Sequence, residues 1–322
     1  ELELFARRAR REAHPEAHQE LQMIVQHLIE RNYREDIDHS LPFTAQVVQL
    51  ARLFRERLIS LVCHWMRVGY CQGNFNSDNC AAGGYTLDYG PFGFCELFDP
   101  RFQPWTGGGI HFSFFNQPKA AETNYRMFWS ALKTLLKDHP AETAELDALH
   151  ESFSGAMQAE LEAMWARKLG LASVAPELIG DLLQLMVASK ADYTIVFREL
   201  ASLPKEITPL KRGFYVPSDA QLDAQWNAWL TRWHQQLSCS GEPEEITASM
   251  QRTNPAITWR EWLIAPAYEQ AARGDYSLVH ELQTVFRNPY KPLSPELAAR
   301  YDQLRPREFF GAGGISHYSC SS

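Results

Sequence analysis

The chain has 322 residues, 45% hydrophobic and 22% charged, with 18 glycines and 18 prolines, so it can bury one large core or two modest ones. Disordered, collagen-like and low-complexity classes are excluded. Asp and Glu number 39 against 31 Lys and Arg, a formal charge of −8, which is the wrong sign for gripping a phosphate backbone over a broad surface, and no nucleic-acid partner is expected.

The opening twenty residues carry acidic side chains and no apolar core, so they read as neither a signal peptide nor a transit sequence. The chain starts at Glu1, and the expectation is a piece of something longer. Leu21, Ile24, Val25, Leu28 and Ile29 form one apolar stripe at helical spacing, predicting a helix that ends near Tyr33. Pro42 and Thr44 open a longer helix. Val47, Val48, Ala51, Phe54, Leu58, Leu61, Val62, Trp65 and Met66 keep its spacing until Gly69 stops it. From 69 to 109 the chain turns glycine-dense and rich in Asn, Asp, Phe and Tyr, with short strands predicted at 70–71 and 85–87: the texture of a loop-built site on a rigid base. Asn116, Gln117 and Pro118 read as the entry to the next helix. Its stripe is Met127, Phe128, Ala131, Leu132, Leu135 and Leu136, and helical spacing continues over 141–169 and 176–200. A Pro-bearing basic stretch, 203–217, marks a soft boundary. Helices are predicted beyond it at 218–238, 259–273 and 276–286, before a glycine-containing tail at 311–322. Trp226, Trp229 and Trp233 share a helix face and read as core. No internal repeat is present. Apolar runs such as 58–62 are far short of the roughly 20 residues needed to span a bilayer, so no membrane partner is expected.

Six cysteines, Cys63, Cys71, Cys80, Cys95, Cys239 and Cys320, are too scattered for a disulfide scaffold and form no C-x-x-C pair, so a reducing compartment is expected. His64 and His111 lack ligand-spaced partners and read as satisfied polar or core positions. The glycines at 107–109 lack a following Lys-Ser/Thr and read as a surface turn.

The informative stretch is NSDN at 76–79 followed by LDYG at 87–90. A loop carboxylate can deprotonate a hydroxyl, an adjacent Asn offers a neutral oxygen to a hard cation, and a second carboxylate can complete a Mg²⁺ site with substrate phosphates. Asp78 and Asp88 are ten residues apart, room for the chain to double back, as it does between the catalytic loop and the metal-binding Asp of protein kinases. By spacing alone, the same residues also suit turn formers in a glycine-rich loop.

The surrounding letters, CQGNFNSDNCAAGGYTLDYGPFGFCELFDPRF at 71–102, resemble the selenoprotein O family, kinase-like protein adenylyltransferases whose pattern is approximately HGxxNTDNxxxxGxTIDYGPFGFxDxFDP. The likeness extends to FSFFNQP at 112–118, ADYTIVFREL at 191–200, GDYSLVHELQTVFRNPY at 274–290 and the terminal CSS at 320–322, where some members carry selenocysteine in place of Cys320. The resemblance implies a mainly α fold with a small β-hairpin site: a protein-kinase-like C-terminal lobe over 1–202 and a helical C-terminal extension over 203–322. It implies Mg²⁺-dependent transfer of AMP from ATP to Ser, Thr or Tyr hydroxyls of proteins, with Mn²⁺ as an alternative metal. Asp78 would accept the target proton, Asn79 and Asp88 would hold the metal, and Asp88 would sit closest to the phosphates. A nucleotide orientation reversed from that of kinases puts the attack on the α-phosphate. The compartment implied is the cytoplasm, with mitochondria as the eukaryotic alternative. A regulatory disulfide between Cys95 and Cys320 follows from the family's redox associations; two unconnected thiols are the alternative.

Two departures stand out. Gln72-Gly73 replaces the family's His-Gly, keeping a hydrogen bond but not a charge. The first Lys is Lys119 and the first Gly is Gly69, so no glycine-rich loop or phosphate-binding Lys precedes Asp78, and the phosphate-gripping lobe is expected to be missing from this chain. Arg7, Arg8, Arg10 and Arg11 read instead as a solvated helix face. That missing lobe favours a rival reading, a non-catalytic pseudokinase module that binds partners, while Asp78, Asn79 and Asp88 oppose it. Ordinary protein phosphorylation is a further alternative, separated by product mass.

Overall fold

The computed structural model describes residues 1–87, 89–105 and 108–310. Among these the helices are α1 (Leu2–Arg10), α2 (Ala17–Asn32), α3 (Phe43–Val68), α4 (Gln117–Lys133), α5 (Pro140–Glu151), α6 (Phe153–Lys168), α7 (Pro176–Ala188), α8 (Tyr193–Leu200), α9 (Ala220–Leu237), α10 (Pro243–Thr253), α11 (Glu261–Ala271), α12 (Ser277–Phe286) and α13 (Pro295–Tyr301). One antiparallel pair, β1 (Tyr70–Gln72) and β2 (Phe92–Phe94), completes the regular structure, in the register Tyr70↔Phe94, Cys71↔Gly93 and Gln72↔Phe92. The protein is therefore mainly helical with one small hairpin, as the sequence predicts.

Local chemistry explains the element ends. Helices α4, α5, α7, α10 and α13 open with proline in the first turn, where its missing N–H costs nothing. Asp219 and Ser294 cap α9 and α13 by accepting from Leu222 N–H and Leu297 N–H. Gly69 stops α3 with φ of 81°, a left-handed position, and a Cβ there would meet the Tyr193 ring at 3.0 Å.

Two expectations are corrected. The helix predicted over 176–200 breaks at 189–192, because Lys190 takes φ of 46° and Asp192 starts a new helix by accepting from Ile195 N–H. The strand predicted at 85–87 is absent; Thr86 makes only an isolated bridge with Cys80, and β1 pairs with 92–94 instead. A side chain at Gly93 would meet Phe102 and Pro104 at 3.1 Å, so glycine lets the following loop close over that strand. Of the two readings of His64 and His111, satisfied polar or core, the structure excludes the core one: both are exposed, and His64 Nδ1 accepts from Arg67 Nε at 3.2 Å.

The chain divides into two compact units that interleave in sequence: Glu1–Cys63 with Phe75–Tyr89 and Asn116–Glu160, and His64–Asn74 with Gly90–Phe115 and Leu161–Ser322. Residue 203 falls within the second. The first unit buries Leu21, Val25 and Ile29 of α2 and Val47, Ala51, Phe54 and Leu58 of α3 with Tyr125, Phe128 and Leu132 of α4. Tyr125 donates its hydroxyl to Ala51 O at 3.1 Å. The second unit is built around α9, where Trp226, Trp229 and Trp233 are fully buried and each indole N–H is satisfied, by Ser189 Oγ, Leu178 O and Leu169 O at 2.7 to 2.9 Å. In the same unit Lys168 is buried under the rings of Tyr193 and Phe197, its Nζ donating to Arg67 O at 2.7 Å and Asn254 Oδ1 at 2.9 Å, and burial holds its ammonium well below the usual lysine range. A satellite core joins Ile257, Trp262 and Leu263 to Leu282, Val285 and Tyr301. No helix among the described residues is long and apolar enough to cross a membrane.

Candidate active site

The NSDN motif folds as a single turn of 3₁₀ helix, Ser77–Asn79. Its first residue explains the motif locally: the Asn76 side-chain oxygen accepts from Asp78 N–H at 3.0 Å and Asn79 N–H at 3.2 Å, so the amide holds the backbone of the turn. Asp78 points its carboxylate outward, 83% exposed, and Asn79 beside it is half-buried.

Helices of the first unit fix the loop on both sides of this turn. Asn124 of α4 donates to Phe75 O at 3.0 Å, Tyr33 donates its hydroxyl to Ala82 O at 2.6 Å, and Arg57 of α3 donates to Gly83 O at 3.2 Å while stacking on the Tyr33 ring. Burial raises the Tyr33 phenol above its ordinary range, so it stays a donor. Replacing Asn76 with Ala removes the cap: we expect a loss of about 1 kcal/mol in urea unfolding, with Asn76→Asp keeping most of it.

Asp78 stands on the wall of an open cleft of about 910 Å³ within the first unit. Leu4 and Arg7 of α1, Ile24, His27, Leu28 and Arg31 of α2 and Met127 of α4 form other parts of that wall. Arg7, Arg8, Arg10 and Arg11 are all exposed, the solvated face that the sequence predicts. Arg7 faces the cleft, and Arg10 is pinned by Glu3, Ser130 O and Thr134 Oγ1. Arg7, His27 and Arg31 escaped the sequence reading because two separate helices bring them to one cleft; the signal was that α2's stripe includes Ile24 and Leu28, which are half-buried and border the cleft, not the core.

In the second unit two further backbone bonds extend the hairpin. Gly73 N–H donates to Pro91 O and Cys95 N–H to Gly69 O, both at 2.7 Å. Gln72, where the resemblance leads one to look for His, is buried and receives the Tyr70 hydroxyl proton. Asp88 itself lies outside the described residues, as do Gly107 and Cys320. Cys95 is a free, buried thiol whose acidity burial suppresses.

The donor set suits a small hard cation. An Asn amide oxygen and an Asp carboxylate are oxygen ligands of the kind Mg²⁺ takes, and so small a protein share leaves room for the phosphates and waters it prefers to keep. Among the described residues no three His, Cys, Asp or Glu side chains cluster as a self-sufficient metal cage.

The family model described as protein adenylyltransferase SelO matches residues 9–287. Proteins named protein nucleotidyltransferase YdiU are similar: that of Aromatoleum aromaticum is 34% identical over 282 residues, covering 83% of this chain and 52% of the relative. The one from Xanthomonas campestris pv. campestris is 35% identical over 280 residues, with the same coverage. That of Tolumonas auensis is 34% identical over 273 residues, covering 81% and 51%. The chain spans about half the length of the curated relatives it matches.

Proposed function

We infer, from the premise that this chain belongs to the protein adenylyltransferase SelO family, that the protein carrying it transfers AMP from ATP to Ser, Thr or Tyr hydroxyls of other proteins. The observation that carries the reading is the capped NSDN turn, which presents the exposed carboxylate of Asp78 on an open cleft, with Asn79 next to it in the same turn.

The chemistry asked of these residues is modest. The Asp78 carboxylate accepts the proton of the target hydroxyl as its oxygen attacks the α-phosphorus; the bond from that phosphorus to the bridging oxygen of pyrophosphate breaks, leaving an AMP ester and pyrophosphate. Asn79 and Asp88 would hold Mg²⁺, with Mn²⁺ as an alternative. When bound, the metal neutralises charge growing on the phosphate oxygens. The Asn76 cap keeps Asp78 and Asn79 in fixed relative orientation, which is what in-line transfer requires of a positioning loop. On this reading residues 1–202 act as a kinase-like lobe and 203–322 as its helical extension, and the reaction takes place in the cytoplasm.

The test is the intact mass of the full-length protein and of a mixed protein substrate after incubation with ATP and Mg²⁺. Added adenylyl mass is the expected result. Added phosphoryl mass would move the attack to the γ-phosphate, and no addition with no nucleotide bound would favour the partner-binding module.

A further inference from the structure

The second unit holds a cavity of its own, about 260 Å³, walled by the segment that follows β2, by the start of α11 and by the stretch around Arg305. That volume is just below the roughly 300 Å³ at which pockets for drug-sized ligands begin, so it suits one functional group on a short stem.

Charge is unevenly divided over this wall. Among the described residues, the carboxyls of Glu96, Asp99 and Glu261 face a single guanidinium, that of Arg305. Arg305 is engaged elsewhere: its Nη2 donates to Phe309 O at 2.6 Å, its guanidinium lies 5.4 Å from the centre of the Phe310 ring, and Glu261 is reached only at 3.7 Å. Behind Glu96 the Arg260 guanidinium, 1% exposed, takes Asp192 with both arms, Nη1 to Oδ2 at 2.6 Å and Nη2 to Oδ1 at 3.0 Å. Glu96 receives the longer contact. It is 8% exposed, and both hydrogen bonds to its carboxylate fall on Oε2, from Arg260 Nη1 at 3.4 Å and Trp262 Nε1 at 3.0 Å. Oε1 has no donor among the described residues and is left to the cavity that Glu96 borders. A carboxylate oxygen this deep is unstable without a donor, and a cation entering the cavity supplies one.

The remaining wall is largely aromatic. Trp259 and Phe310 border the cavity and are half-exposed, and Tyr215 meets Phe310 edge to face at 5.6 Å. Aromatic faces beside carboxylates favour a nitrogen cation whose charge is spread over a planar or alkylated head. A bare metal ion fits less well, since no three His, Cys, Asp or Glu side chains converge among the described residues.

We propose that this cavity binds an organic cation, an alkyl guanidinium or alkyl ammonium, whose head pairs with Glu96 Oε1 and whose stem packs on Trp259. Asp99 and Glu261 add the negative field that draws it in. The recognised group is the same whether it belongs to a free small molecule or to an Arg or Lys side chain of a peptide. Binding does not depend on AMP transfer.

The test is a ligand-observed NMR titration of the full-length protein at pH 8, where Glu96, pushed up by burial to about 7, is ionised. The probes are N-acetyl-arginine amide, its uncharged analogue N-acetyl-citrulline amide, and N-butylguanidine as the free cation. The arginine compound is expected to bind with Kd on the order of 1 mM or tighter, and the citrulline compound at least about tenfold more weakly. Glu96→Gln is expected to weaken the arginine compound about tenfold and Trp259→Leu about threefold. Asp99→Asn, which keeps an acceptor for Arg101 N–H, is expected to weaken it about twofold and serves if Glu96→Gln does not fold. Tighter binding of N-butylguanidine would point to a free cation and tighter binding of the arginine compound to a peptide side chain; both support the site. No saturable binding of either cation, equal binding of the citrulline compound, or an unchanged Kd in the folded variants would overturn it.

Discussion

Replacing Asp78 with Asn in the full-length protein is expected to lower the rate of AMP transfer by about 10²- to 10⁴-fold, the usual worth of a positioned general base. The substitution is close to isosteric and the carboxylate is 83% exposed, so unfolding free energy is expected to change by no more than about 0.5 kcal/mol. The Asn76 cap holds the turn through backbone N–H groups, not through the Asp78 side chain, and survives the change. Single-turnover incorporation of AMP separates this from a binding defect: KM for ATP is expected to stay within about twofold while the chemical step collapses. Retention of near-normal turnover would mean that another group accepts the proton.

The second large effect concerns stability. Arg260→Met removes the guanidinium that pairs with both Asp192 and Glu96, carboxylates nine-tenths or more buried. Breaking a buried pair by deleting one partner typically costs about 3–5 kcal/mol, because the remaining charge has neither water nor counter-ion. The cost is expected to depend on pH. Glu96, already pushed up by burial to about 7 with Arg260 present, titrates higher still without it. A carboxyl raised in the folded state adds stability below its unfolded value, near 4.5, and that stability is lost as pH rises through the folded value. The Arg260→Met deficit in urea unfolding should accordingly be larger at pH 8 than at pH 5.5. Equal deficits at both values would show that Glu96 does not carry the linkage.

How much of this was legible in the sequence depended on how local the cause was. Helices α2 and α3 were read closely because each lays a long apolar stripe against the core, and Gly69 ends α3 as its position predicts. Helices α10 and α13 were missed for the opposite reason: α10 buries Ile246 and Met250 and α13 only Tyr301, too few to show a period. Strand β2 was misplaced because a three-residue strand carries no alternation, and its position is set by Phe102 and Pro104 closing over Gly93. At the site, the turn that presents Asp78 and Asn79 is written in four consecutive letters. The partnership of Glu96, Asp192 and Arg260 is not, since Arg260 lies 164 residues from Glu96 and 68 from Asp192. Nor could the letters join Arg7 to Arg31, which border one cleft only because α1 and α2 both line it.

The interleaving of the two compact units has a consequence for the history of the gene. Each unit is assembled from three stretches of chain, so the polypeptide passes from one to the other five times between Glu1 and Ser322. A unit that is one continuous stretch can be copied, lost or exchanged by a single recombination event. Here no pair of breakpoints excises either unit whole, and any insertion that respects both must fall in a surface loop. Selection is thus confined to substitution and loop variation within a pair of units inherited together, and limited proteolysis at any one bond would release neither of them intact.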